Sequence, residues 1–247
     1  ETFKAALRTR PLIGTMLTTA STEIAEALSL LPFDWFFLDA EHGNLSIHQA
    51  QTCIQAIAGR AHTLLRIADA TPENLKRALD TGCSGIIVPL VNTPDAARSI
   101  VSQSKYPPLG TRSVGPGRAQ GYGLRFQEYF QTANDQTAVV IQIEHKDAVA
   151  NLESILAVPG IDAVFIGPYD LSASMGLLGQ LSHPDVLTAI QTIRDACLRA
   201  DMPFAILCGN AEQARQEIQA GASFLAVGTD ILHMAHSARA TLEAVRA

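Results

Sequence analysis

The sequence is short of most features that would tie it to a specialised partner. Tryptophan occurs once, and the 4 cysteines, Cys53, Cys83, Cys197 and Cys208, stand far apart with no C-x-x-C pair. That spacing excludes zinc knuckles and dithiol redox motifs, and leaves the cysteines as small core residues of a reducing compartment. Positive charge is scarce: 18 Lys and Arg face 24 Asp and Glu, a formal net charge of −6. Nucleic acid and anionic membrane surfaces both call for clustered positive charge, so neither is an expected partner. A small anionic substrate needs only one or two local arginines. No apolar run reaches the roughly 18–20 residues of a membrane span, and Glu1-Thr2-Phe3-Lys4 does not read as a secretion signal. The expected location is the cytoplasm. No strand is followed by G-x-G-x-x-G or a P-loop, which removes the common nucleotide-binding readings.

What is present is a steady alternation of short apolar runs and amphipathic stretches along 247 residues that are 47% hydrophobic and 17% charged. Strands are expected at Pro11–Leu17, Phe33–Asp39, Thr63–Ala68, Gly85–Val91, Ala138–Glu144, Ala163–Gly167, Phe204–Cys208 and Phe224–Gly228. Runs such as Val139-Val140-Ile141 suit parallel strands covered on both faces. Between them, Ser21, Thr71, Thr93 and Asn210 can cap helices, with Pro72 and Pro94 in first turns and Gly82 and Gly221 just past helix ends. Eight such alternations without a break in composition favour one closed (β/α)8 barrel domain over an open doubly wound sheet. The one irregular insertion, Tyr106–Gln127, is rich in Gly, Pro and Arg, and a loop of that length is usually functional.

Barrel chemistry collects where strands end. Asp39-Ala40-Glu41-His42 closes the second strand, Arg66 the third and Glu144 the fifth, and the sixth runs into Gly167-Pro168-Tyr169-Asp170. Carboxylates with open positions around them suit Mg²⁺ or Mn²⁺. Each residue also has an ordinary structural reading: Glu144 and Asp170 as helix caps, His42 as a hydrogen-bonded structural histidine, Arg66 as a partner of Asp69. Their coincidence at strand ends favours a site. Lys146, just beyond the fifth strand, is the competing candidate, as the amine of a metal-free Schiff-base lyase. His145, beside Glu144, and the His233/His236 pair on the last helix are weaker candidates.

Several stretches together resemble the HpcH/HpaI family of class II pyruvate aldolases, within the phosphoenolpyruvate/pyruvate type of barrel. They are Phe33–His42, Leu75–Gly82 with Arg66 before it, Tyr106–Arg112, Ala133-Asn134-Asp135, Gln142-Ile143-Glu144, Gly160–Ser172 and Phe224–Asp230, in the family's order. The resemblance implies a lyase that joins pyruvate and an aldehyde into a 4-hydroxy-2-oxo acid, or cleaves one. Glu144 and Asp170 would hold a divalent metal (Mg²⁺, Mn²⁺ or Co²⁺), and Arg66 would hold the keto oxygen of pyruvate. Gly167, Pro168, Tyr169, Asp170, Gln142 and Leu207 would surround the substrate, with Asp39 in support. His42 would move protons, assisted by Asp80 of a neighbouring subunit in a homo-hexamer. Ala40, Gly43, Asn44, Tyr169 and the Ser113–Arg118 loop depart from the family's usual residues, on the aldehyde side. A decarboxylase of oxaloacetate-like acids and a non-catalytic binding barrel are the alternatives.

Overall fold

The computed structural model describes residues 1–247. Eight parallel strands, β1 (Leu12–Leu17), β2 (Trp35–Asp39), β3 (His62–Arg66), β4 (Gly85–Val88), β5 (Ala138–Ile143), β6 (Ala163–Ile166), β7 (Phe204–Cys208) and β8 (Phe224–Thr229), pair in sequence order, and β8 closes on β1. The expected (β/α)8 barrel is therefore the observed one. Around it run α1 (Phe3–Ala6), α2 (Thr22–Ser29), α3 (Ile47–Ile57), α4 (Pro72–Asp80), α5 (Pro94–Ser104) and α6 (Phe126–Gln136). The second half adds α7 (Lys146–Ala150), α8 (Leu152–Leu156), α9 (Pro168–Ser174), α10 (Pro184–Arg199), α11 (Ala211–Gln219) and α12 (Asp230–Arg246). None is long and apolar enough to cross a membrane.

The caps act where the sequence places them: Ser21, Thr71, Thr93 and Asn210 each accept a backbone N–H of the first turn. Several strands are a residue or two shorter than their expected runs, and β4 falls furthest short. β4 stops at Val88 because Pro89 has no N–H to donate and Leu90 turns to φ 54.

Strand alternation sorts the apolar side chains into two bodies. One, of 44 buried residues, lies between the strands and the helices. The other, of 16, fills the barrel interior with Trp35, Phe37, Leu64, Ile87, Val140, Phe165 and Phe224. Phe3 of α1 closes the N-terminal end, edge-on to Phe224 at 5.5 Å. Each such side chain contributes about 1.5–3 kcal/mol by leaving water. The interior is a plug, so only the layer above it is open to chemistry. Continuing the inward column of β2 past Phe37 reaches Asp39; that of β3 past Leu64 reaches Arg66; that of β5 past Val140 reaches Gln142 and Glu144.

The last helix departs from the pattern. From Ile231 to Ala247 every residue of α12 and its terminus is exposed, including Ile231, Leu232, Met234, Leu242 and Val245. Its first residue, Asp230, is buried and anchored. Oδ1 accepts from the N–H and hydroxyl of Thr18 (3.1 and 2.7 Å), and Oδ2 from those of Thr19 (3.0 and 2.6 Å). Burial pushes this carboxyl up, but the bonds from Thr19 and Thr18 outweigh it, and its pKa lies below the ordinary aspartate value. A carboxyl with a lowered folded pKa adds stability above its unfolded pKa, and that stability is lost as pH falls through the folded value. Asp230→Asn is therefore expected to cost about 1.5–3 kcal/mol at pH 7. The gap to wild type should close as pH falls below about 4. Urea melts at the two pH values check this; an equal loss at both would show that shape, not charge, holds the segment.

Candidate active site

Asp39 and Arg66 are register partners on β2 and β3, both pointing into the upper barrel. Arg66 Nε donates to Asp39 Oδ1 at 2.9 Å and Nη2 to Oδ2 at 2.8 Å, a parallel two-point grip. The remaining nitrogen, Nη1, lies 3.1 Å from Glu41 Oε2, and the guanidinium sits 5.0 Å from the Phe37 ring centre. Burial pushes the Asp39 carboxyl up, but the grip of Arg66 brings it below the usual range. Asp39 Oδ1 also accepts the N–H groups of Glu41 and His42, so one carboxylate fixes both the arginine and the following loop. The alternative pairing of Arg66 with Asp69 does not occur: Asp69 accepts from Thr71 and Asn74. His42 is largely exposed beside this cluster, its Nε2 3.9 Å from Glu41 Oε2.

Glu144 follows β5 and is buried. Its Oε1 accepts from Leu90 N–H at 2.8 Å, and its Oε2 is held by Gln142 Nε2. It does not cap the next helix; His145 does, accepting from Asp147 N–H. Two backbone features make room for this carboxylate. Leu90 adopts the left-handed region, which costs a leucine about 1–2 kcal/mol and aims its N–H at Glu144. Gly167 lies so close that a Cβ there would stand 2.6 Å from Glu144 Oε2 and 2.7 Å from its Cβ. Burial, offset by the Leu90 N–H and reinforced by the charges of Glu41 and Asp170, pushes the Glu144 carboxyl up to about 7.

Beyond Gly167, Pro168 opens α9, whose cap is Gly167, with no side-chain bond; Asp170 lies exposed in its first turn. Tyr169 is exposed at the same rim. Leu207 on β7 packs against the interior plug from above. The structure thus gathers His42, Arg66, Gln142, Glu144, Gly167, Pro168, Tyr169, Asp170 and Leu207 at one mouth. Glu41, given no role at the sequence level, joins them. Its position in the Asp39-Ala40-Glu41-His42 run was the available signal.

The donor set fits a divalent cation. The charge of Asp170 raises the proton affinity of both Glu41 and Glu144, and the buried Glu41 Oε2 has only Arg66 Nη1, at 3.1 Å, to answer it. Positive charge placed among them would relieve both. No three His, Cys, Asp or Glu side chains close around a single point. Two carboxylates with open positions suit a hard cation that keeps water or substrate in its shell.

Asp80 is not at the mouth. It ends α4, toward the opposite end of the barrel, where its Oδ1 accepts from Arg112 Nη2 at 2.8 Å and from Gln120 Nε2 at 3.0 Å.

A closed barrel with ionisable residues gathered at the C-terminal ends of its strands is the architecture of a (β/α)8 enzyme. The sequence profile of the HpcH/HpaI aldolase/citrate lyase family matches residues 12–237. The chain is 40% identical over 236 residues to 2-dehydro-3,6-dideoxy-6-sulfogluconate aldolase of Pseudomonas putida, covering 95% of this chain and 92% of that one. It is also 40% identical over 243 residues to 4-hydroxy-2-oxo-heptane-1,7-dioate aldolase of Escherichia coli, covering 97% and 93%. The crystal structure of an HpcH/HpaI aldolase/citrate lyase family protein from Burkholderia cenocepacia superposes with a TM-score of 0.95 at 36% identity, covering 99% of this chain and 98% of that one. The protein belongs to the HpcH/HpaI aldolase/citrate lyase family.

Proposed function

We propose that this enzyme is a divalent-metal-dependent aldolase that forms and cleaves 4-hydroxy-2-oxo acids through the enolate of pyruvate. The observation that carries the reading is the convergence of a clamped Arg66 with buried Glu144 on one mouth, close enough for the Glu144 charge to bear on the guanidinium. Glu144 and Asp170 would hold Mg²⁺, Mn²⁺ or Co²⁺, which supplies positive charge to the keto oxygen of pyruvate. Arg66 supplies further positive charge to that oxygen as the methyl proton leaves and negative charge develops. Gln142 keeps Glu144 aimed, and Gly167 and Pro168 let the chain pass close beside the substrate. The free N–H groups of Tyr169 and Asp170 would orient its carboxylate, and Leu207 would close the apolar side. In the forward direction C3 of the enolate bonds to the aldehyde carbon, and the new alkoxide takes a proton. His42 is suited by exposure and position to give that proton, and to remove it on cleavage.

The uncovered apolar side chains of α12 and the location of Asp80 support a homo-oligomer, a hexamer by resemblance, in which Asp80 meets His42 of a neighbouring subunit. Four free buried thiols accord with a cytoplasmic location. The test uses pyruvate in D₂O with Mg²⁺, Mn²⁺ or Co²⁺, followed by a panel of short aldehydes. Loss of the methyl proton signal and aldol adducts are expected. Oxaloacetate decarboxylation without any adduct would favour the decarboxylase, and inertness toward all three would overturn the reading.

A further inference from the structure

The segment between α5 and α6 has two buried cations, Lys105 at its start and Arg112 in the loop, and Arg112 is directed at Asp80. The Arg112 side chain is 1% exposed, against 25% for Asp80. Its guanidinium lies 4.6 Å from the Tyr106 ring centre and 5.6 Å from that of Tyr129, and its Nη1 donates to the Tyr129 hydroxyl at 3.1 Å. Burying a guanidinium is costly unless its partners are well placed, and here the two rings and one carboxylate oxygen hold it in a single orientation. Gln120, fully buried, donates to the same oxygen, Asp80 Oδ1, and to the Tyr106 hydroxyl at 3.0 Å. Ala119 N–H donates to the Asp80 carbonyl at 3.1 Å, and Gly117 passes so close that a Cβ there would stand 2.9 Å from Asp80 Cβ.

Every side-chain grip therefore falls on Oδ1, and Oδ2 takes no hydrogen bond within the chain. Asp39, by contrast, gives both of its oxygens to Arg66. We propose that Arg112, assisted by Gln120, is a positioning residue that holds Asp80 so that Oδ2 faces the mouth of a neighbouring subunit. This rests on the reading in which Asp80 supports His42 of that neighbour. The insertion of one chain then sets the proton-transfer geometry of another. Arg112 touches no substrate in this arrangement.

The test is a double-mutant cycle on the metal-loaded enzyme, with aldol addition of pyruvate to glycolaldehyde as the measured reaction. Arg112→Lys keeps the charge but loses the planar fork between the rings. It should lower kcat on the order of tenfold, the size expected from weakening one charge-assisted hydrogen bond. KM for pyruvate should stay unchanged, and in an Asp80→Asn background the same substitution should cost nothing more. Gln120→Met, which leaves the Arg112 stack in place, should give a smaller loss that also vanishes in that background; it carries the test if Arg112→Lys does not fold. Equal losses in both backgrounds, or kcat and KM moving together, would overturn the positioning role. Wild-type kcat in Asp80→Asn alone would overturn the reading of Asp80, and the proposal with it. The absence of any adduct from the wild-type enzyme would instead overturn the aldolase reading.

Discussion

Exhaustive chelation should abolish aldol activity, and added Mg²⁺, Mn²⁺ or Co²⁺ should restore it. The site without a cation has too much negative charge to stabilise more: Glu41, Glu144 and Asp170 lie within each other's influence, with Arg66 already committed to Asp39. Enolate formation would add a further negative charge there. A cation held by Glu144 and Asp170 would remove that penalty and would supply positive charge to the developing oxyanion, an effect of several kcal/mol. The expected loss on chelation is therefore at least about 10³-fold, more than removing one hydrogen-bond donor would cause. Assays after EDTA treatment and dialysis, followed by metal titration, check it. Full activity without metal would defeat the class II reading. So would borohydride trapping of pyruvate on Lys146, which is exposed on α7 and lacks the apolar setting that makes a lysine nucleophilic.

Arg66→Lys should lower kcat and kcat/KM together, by about 10²–10³, as loss of a charge-stabilising donor typically does. The geometry explains why a conserved charge is not enough. The fork of Arg66 spends Nε and Nη2 on the two oxygens of Asp39 and still places Nη1 beyond them, 3.1 Å from Glu41 Oε2. An ammonium is a single point and cannot hold Asp39 at two places while reaching onward. Because the lost interaction belongs to the charge that develops during reaction, it should fall on the chemical step. Affinity for Mn²⁺, measured by calorimetry on the folded variant, should change little, since Arg66 is not among the proposed ligands. Near-wild-type kcat would show that Arg66 is structural and that the enolate site lies elsewhere.

Much of the architecture was legible from local pattern, because parallel strands covered on both faces must be apolar throughout and their helices must begin with caps. The polar ends of those strands were legible for the same reason, since Asp39, Arg66 and Glu144 interrupt runs that packing alone would continue. Partnerships were not. Whether Arg66 pairs with Asp69 or with Asp39 depends on the register between β2 and β3, which brings a residue 27 positions away closer than one 3 positions away. The Leu90 N–H that holds Glu144 depends on a left-handed backbone at a residue that gives no compositional hint of it. The exposure of α12 was only faintly signalled: its sequence is less amphipathic than its neighbours', and the packed barrel shows that beyond its anchored first turn the helix lies exposed.

The aromatic plug limits how this enzyme can diversify. Trp35, Phe37, Phe165 and Phe224 occupy the volume that a larger substrate would need, and each is braced by the rings beside it. Hollowing one out removes about 3–5 kcal/mol of stability, a large share of what a typical domain has in total. New specificity is therefore cheaper to acquire at the rim, where Tyr169 and Leu90 are exposed and can be exchanged without disturbing the staves beneath.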